Sequence, residues 1–486
     1  MGFISDTEVL RVLRGLNPWW PTGVVPDSLA KPVKRLAFYE VGTWLKEKSL
    51  HRAIVLCGAR RVGKTTILYQ LAQREIERGR PATRVLYASF DHPILKVTPL
   101  QQVIDIFTNN VAADKEDLFL LLDEIHYASD WTLWLKRLVD ENPTVTIVAT
   151  GSASAEIGAG GVESGVGRWL EVKVPTLSFF EYARLKNIEV PDFGSGIKPT
   201  ALPMLSKVDR TMLMTKVQGL EPHFHRFLLS GGFPETAQMD DLSMAQRLLR
   251  DDMVDRVLKR DMTSLYNVSN VLELERLFIY LCLNSGGIFV QDTLAKELGV
   301  SRPTVANYLK YLELANLAYR LDPIAATGKK ALKPRPKVYV ADAALRNAVL
   351  LRGNEVLESN YEMGLIVETA VIKHLYAFYY PDRPETGYWR GDRDKEIDYV
   401  VRRPGSYEIL VEVKYRSDPV LAKDSGLYQY PAQGDDTRRL VITKAATDFG
   451  PIGPALGGVQ PFAVPAFAFL YFLGHAEHQG YLAQKA

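Results

Sequence analysis

The sequence predicts an α/β protein built on a parallel sheet and continued by further helical and α/β units. Three observations lead there. Between about residues 50 and 175, short apolar runs alternate with helical patterns: HRAIVLCG, TTILYQLAQREIERG, TRVLYASFD, LFLLLDE and TVTIVATGS. Continuous β-rich runs separated by helices imply βαβ units whose strands are buried on both faces. The first run leads directly into GARRVGKTT, from Gly58, a glycine turn that opens a helix. A chain of 486 residues, 47% hydrophobic and 24% charged, is also longer than one core accommodates.

The organisation expected from these patterns runs in six segments: 1–45, an irregular lead-in containing NPWWPTGVVPD; 46–180, the parallel-sheet core; 181–275, a helical lid broken at SGGFPE; 276–340, a compact unit of short helices and strands; 341–450, an α/β unit with a helix before two alternating strands; and 451–486, a C-terminal segment. No repeat or low-complexity tract is apparent.

A net charge of +2 is too mild to announce a polyanion partner, so a nucleic-acid surface has to come from local clustering. Cys57 and Cys282 lie in apolar runs without metal-ligand spacing and read as core thiols in a reducing compartment. The N-terminus shows no secretory pattern, and the apolar stretch PFAVPAFAFLYFLG is interrupted by Pro465 and too short for a bilayer. A cytoplasmic location without membrane attachment is the expectation.

Gly58 to Thr65 satisfies G-x-x-x-x-G-K-[ST]. Backbone N–H groups of such a loop, together with the positive helix end, wrap the phosphates of ATP or GTP. The expected cradle is Gly58, Ala59, Arg60, Arg61, Val62, Gly63, Lys64, Thr65 and Thr66, with Lys64 on the β- and γ-phosphates and Thr65 on Mg²⁺. LFLLLDE supplies the second strand: Asp123 suits Mg²⁺ coordination and Glu124 suits polarising the attacking water. Thr150, at the end of TVTIVATGS, is placed to orient that water or sense the γ-phosphate. Arg168 follows a glycine-rich loop in GVGRWLEV and is a candidate arginine finger. His126 reads as a packing residue rather than a proton carrier.

Taken together, GARRVGKTT, LFLLLDEIH with Trp131, VATGSAS, GRWLEVKVPTLSFFEYARL, SGGFPE and YWRGDRDKEIDYVV…ILVEVK resemble a prokaryotic AAA+ ATPase fused to a C-terminal domain of unknown function, across roughly residues 30 to 445. The resemblance implies a P-loop AAA+ core, a C-terminal domain of restriction-endonuclease-like PD-(D/E)xK fold, and a ring, expected to be hexameric, with active sites at subunit junctions. It strengthens Arg168 as a finger acting in trans.

Two further features bear on function. GIFVQDTLAKELGVSRPTVANYLKYLELANLAYRL has the cadence of a helix-turn-helix, with Gly299 in the turn, Ser301 capping the second helix and Val305, Leu309 and Leu312 facing inward. Its outward face carries Arg302, Thr304, Asn307, Lys310 and Tyr311, and Lys329, Lys330, Lys333, Arg335 and Lys337 make a basic wing expected near a DNA backbone. A winged-helix packing module is the bland alternative. In EIDYVV and ILVEVKY, Asp398, Glu412 and Lys414 converge if the strands are neighbours, and Glu368 adds a fourth group to a possible second metal site. The function expected is a Mg²⁺-dependent ATPase that remodels or translocates duplex or branched DNA. The alternatives are an ATP-gated nuclease and a nucleotide switch that binds a protein partner or an operator.

Overall fold

A computed structural model describes residues 4–47, 51–151, 167–263, 268, 270–324, 335–391, 395–432 and 436–484. The chain divides into two compact units, Met1–Val174 with Tyr481–Ala486, and Pro175–Gly480. Residues 181–480, which carry the lid, helix-pair and C-terminal α/β segments expected from the sequence, lie within the second unit.

The first unit is a five-stranded parallel sheet of β1 (Ala53–Cys57), β2 (Val85–Ser89), β3 (Phe119–Asp123), β4 (Thr146–Gly151) and β5 (Trp169–Lys173), in the order β2-β3-β4-β1-β5. Every residue of β1 and β3 is buried, as strands covered on both faces must be. β4 lies between the strand that feeds the glycine turn and the strand that ends in Asp123, so Thr150 stands between them.

The NPWW segment is more ordered than its composition suggests. The helix Asp6–Leu16, opened by a Ser5/Glu8 capping box, delivers Asn17 to β2. The Asn17 amide donates to the Tyr87 carbonyl at 2.8 Å and accepts from the Tyr87 N–H at 2.7 Å, while both indoles, Trp19 and Trp20, donate to the Val85 carbonyl. β2 is the sheet's edge, and these side chains pair the backbone groups that an edge strand leaves open. A turn-rich composition gives no sign of partners some 65 to 70 residues away.

The second unit begins with helices Phe179–Leu185, Lys207–Val217, Glu221–Ser230 and Leu242–Arg250. Gly232 of SGGFPE packs against Asp342 so closely that a Cβ would stand 2.2 Å from its carboxylate. Asp342 also accepts from Thr176 at 2.6 Å and from the buried Lys373 at 3.3 Å. The helix pair Gln291–Leu298 and Arg302–Leu314 forms as expected, with Gly299 left-handed at φ 68°, Ser301 capping the Thr304 N–H, and Val305, Leu309 and Leu312 buried. A small antiparallel sheet in the order β6-β8-β7 flanks it, made of β6 (Gly287–Ile288), β7 (Ala318–Leu321) and β8 (Lys337–Val340).

A second, mixed sheet follows: β9 (Glu385–Arg390), β10 (Glu396–Arg403), β11 (Tyr407–Lys414), β12 (Thr437–Thr443), β13 (Gly450–Pro451) and β14 (Phe462–Pro465), in the order β13-β14-β12-β11-β10-β9. β10 and β11 are antiparallel neighbours, as the sequence reading required. The sheet continues past residue 450, because β14 pairs with β12 and its apolar run leads into the buried helix that starts at Ala466. Among the described residues, no helix is long and apolar enough to cross a membrane.

Glu40, in the helix Leu36–Trp44, has its carboxyl pushed up by burial to about 7. A carboxyl raised in the folded state contributes stability that is full below its ordinary value and lost as pH rises through about 7. Glu40→Gln is therefore expected to stabilise the protein more at pH 8 than at pH 5, by roughly 1–3 kcal/mol, in denaturation measured at the two pH values.

A candidate nucleotide site at the end of the parallel sheet

The chain leaves β1 through Gly58, where an added Cβ would stand 2.2 Å from the Val174 carbonyl oxygen, so only glycine fits. Arg61 and Gly63 take positive φ, 64° and 97°, and bend the loop back on itself before the helix Lys64–Glu77. Gly63 occupies the N-cap without a side-chain acceptor, which leaves the first-turn N–H groups to a ligand. Lys64 is buried and donates to the Gly58 and Ala59 carbonyls at 2.9 and 3.1 Å, with Glu124 at 4.0 Å. The buried guanidinium of Arg35 donates to the Val62 carbonyl and steadies the loop from the N-terminal side.

Asp123 is the centre of the arrangement. Its Oδ2 accepts from the Thr65 hydroxyl at 2.9 Å and from the Tyr87 hydroxyl at 2.8 Å, and its Oδ1 accepts from Thr150 at 2.5 Å. Burial and the neighbouring Glu124 charge push the Asp123 carboxyl up, while the three hydroxyl bonds pull it down. Thr150 in turn accepts from the Glu124 N–H at 2.9 Å. Its one hydroxyl proton is committed to Asp123, so contact with a water or a γ-phosphate requires that bond to be exchanged.

Glu124 adopts left-handed backbone angles, φ 49° and ψ 44°, a conformation that costs about 1–3 kcal/mol for a residue with a side chain. The turn directs its carboxylate towards Lys64 and to within 3.4 Å of His126 Nδ1. Burial, reinforced by Lys64, lowers His126 to about 4, so the imidazole is neutral at pH 7.

Of the residues singled out from sequence, the loop from Gly58 to Thr66, Asp123, Glu124 and Thr150 come together. Arg168 does not join them: it precedes β5 at the amino edge of the sheet, its carbonyl accepts from the Ala53 N–H, and its guanidinium pairs with Asp140 at 2.5 Å. The phosphate loop stands at the opposite, carboxyl edge. Tyr87, Asn17 and Arg35 were missed. A polar-tipped aromatic inside the apolar strand next to the carboxylate strand is the signal that could have found Tyr87.

The possible second metal site forms only in part. Glu368 and Asp398 meet, but around the ammonium of Lys337, at 3.7 and 3.6 Å, whereas Glu412 accepts from Ser425 at 3.0 Å and pairs with Lys414 at 2.6 Å. Lys337 was expected on an exposed basic wing. It is buried, because β8 is the central strand of its sheet and turns that side chain towards the carboxylates. Among the described residues, no group of three or more His, Cys, Asp and Glu side chains is arranged to hold a metal. On the helix Arg302–Leu314, Arg302, Asn307 and Lys310 are exposed and Thr304 is half-buried. Lys329, Lys330 and Lys333 lie outside the described residues.

Comparison with known proteins bears on the same loop. Residues 50–183 match the family described as AAA domain. Residues 221–356 and 363–451 match two families described as domains of unknown function, DUF8612 and DUF4143. An uncharacterized protein of Methanocaldococcus jannaschii is 27% identical over 380 residues, 76% of each chain. An uncharacterized protein of Mycobacterium tuberculosis is 27% identical over 371 residues, 74% of this chain and 71% of its own. Among solved structures, AMPPCP-bound DnaA from Aquifex aeolicus overlaps 61% of this chain and 92% of its own at 18% identity, with a TM-score of 0.24, too loose an overlap to bear on function.

If Asp123 is held as described, Tyr87→Phe is expected to lower stability by about 1–3 kcal/mol in urea unfolding. A double-mutant cycle with Asp123→Asn should return a coupling above about 0.5 kcal/mol, and a cycle that sums to zero contradicts the bond.

Proposed function

We propose that this chain is a Mg²⁺-dependent ATPase that binds DNA and uses hydrolysis to remodel or translocate it, working as a ring, with six subunits the expected number. The observation that carries the ATPase reading is the continuous link from Thr65 through Asp123 and Thr150 to Glu124, which joins the phosphate loop to a carboxylate poised for water. The donor set suits a hard cation: a hydroxyl and a carboxylate 2.9 Å apart, both oxygen ligands. Thr65 and Asp123 would hold Mg²⁺, which supplies neutralisation of phosphate charge during transfer.

The remaining work falls to the chain itself. The open first turn of the helix Lys64–Glu77 and the loop amides receive the phosphates, and Lys64 exchanges its carbonyl partners for phosphate oxygens. Glu124 accepts a hydrogen bond from the attacking water, its direction set by the left-handed turn. Arg168 cannot serve its own subunit's loop from the opposite sheet edge, and we assign it to a neighbouring copy's γ-phosphate, after exchange of its Asp140 pair.

Support for the DNA reading comes from the helix Arg302–Leu314, whose buried face leaves Arg302, Asn307 and Lys310 in solvent. With the adjoining β7–β8 ribbon it resembles a winged helix, for which contacts to phosphates and groove edges follow. Sequence-neutral binding fits the short run of polar and basic side chains.

The test is ATPase turnover against single-stranded, duplex and four-way-junction DNA. Turnover should rise with DNA and the rise should weaken with salt. Glu124→Gln should reduce it by about 10²–10³-fold or more with ATP still bound. Combined alanine substitution of Arg302, Asn307 and Lys310 should raise the DNA concentration for half-stimulation at least about tenfold. Indifference of the rate to every DNA removes the motor reading and leaves the ATPase.

A further inference from the structure

Lys337 opens β8 and is held on both sides, its Cα paired with Ile288 of β6 and with Leu321 of β7. Its side chain is only 5% exposed and ends among three carboxylates, forming a close ion pair with Glu396 and standing 3.6 Å from Asp398 Oδ1 and 3.7 Å from Glu368 Oε1. Glu396 and Asp398 lie two residues apart on β10, and Glu368 comes from the helix Asn360–Tyr379. These carboxylates have further partners: Asp398 Oδ2 accepts from the Val413 N–H at 2.8 Å, and Glu368 Oε1, the oxygen that faces the ammonium, also accepts from the Tyr339 hydroxyl at 2.8 Å. The Tyr388 ring closes one side, its centroid 5.6 Å from the ammonium.

This arrangement does not suit a resident divalent cation. Mg²⁺ demands six oxygens at about 2.0–2.1 Å in octahedral array. The centre of this carboxylate group already holds a positive charge that is covalently part of β8, and Glu412, which a two-strand metal site would need, is turned to Lys414 and Ser425. Three carboxylates that share so small a space repel one another unless a cation stands between them. An ammonium buried without partners would be several kcal/mol unfavourable. Each side of the contact answers the other's problem.

We infer that Lys337 is an internal replacement for a divalent cation: its ammonium occupies the point where Glu368, Glu396 and Asp398 converge, closes that carboxylate set to metal and to phosphodiester cleavage, and ties the β7–β8 ribbon to the C-terminal sheet. The second sheet is then a structural platform rather than a nuclease, whatever happens at the glycine loop. Removing the lysine would leave these three carboxylates facing one another without their cation, so that a divalent ion from solution could draw them together.

Mn²⁺ titration of the full chain, followed by electron paramagnetic resonance, reads this directly. Wild type and Asp398→Asn should bind Mn²⁺ alike, because Asp398 contributes no accessible site, and neither should cut DNA in Mn²⁺ or Mg²⁺. Lys337→Ala should acquire one additional Mn²⁺ ion, bound at least tenfold more tightly than any ion that wild type takes at these residues, and Lys337→Ala/Asp398→Asn should lose it. Mn²⁺ should also raise the melting temperature of Lys337→Ala but not that of the double variant. The inference is overturned if wild type loses an Mn²⁺ ion or a DNA-cutting activity on Asp398→Asn, a comparison that holds even where Lys337→Ala does not fold. It is equally overturned if folded Lys337→Ala, judged by its circular dichroism, takes no additional ion.

Discussion

The hydrogen bonds that converge on Asp123 organise the first unit. A carboxylate at the end of a buried strand is unfavourable unless its oxygens are satisfied, and here three hydroxyls do so from three different elements: Thr65 on the loop helix, Tyr87 on the edge strand and Thr150 on the strand between. The same bonds hold the glycine loop in register with the sheet and aim Thr150 at the Glu124 amide. Tyr87 is fixed in turn by the N-terminal segment, where Asn17 clasps its backbone on both sides. A segment far from the phosphates thus sets the position of the group that would carry the metal.

Much of this was legible in the chain. The alternation of apolar runs and helices gave the parallel sheet, the G-x-x-x-x-G-K-T run gave the loop, and period-two patterning gave the strand faces that carry Asp398 and Glu412, whose strands the structure shows to be neighbours. What escaped reading depends on partners distant in sequence. NPWW looks irregular because its order comes from carbonyls on β2, and Tyr87 looks like core because its hydroxyl matters only once β3 lies beside it. Arg168 was judged from loop position and family likeness, and only the sheet register shows that it precedes β5 at the edge remote from the loop.

Lys337 shows the same limit from the other side. In sequence it belongs to a basic run and reads as a solvated wing, yet strand periodicity and a central place in a three-stranded sheet turn it inward onto acidic groups. Glu368 and Asp398 were recognised as a pair, but Glu396 and the cation were not, because pattern does not show an opposite charge delivered by another strand. Both units thereby satisfy acidic clusters, but by different means. In the first unit neutral hydroxyls meet the carboxylate, and in the second a fixed ammonium does.

The central claim is that Asp123, tied to Thr65, makes nucleotide binding depend on a divalent ion. Calorimetric titration of ATP into wild type, Thr65→Val and Asp123→Asn, each with Mg²⁺ and with EDTA, tests it most directly. The account predicts that Mg²⁺ tightens binding to wild type by at least about tenfold, or 1.4 kcal/mol, and that both variants lose that increment while still binding ATP in EDTA. An unchanged Mg²⁺ increment in Asp123→Asn would contradict it.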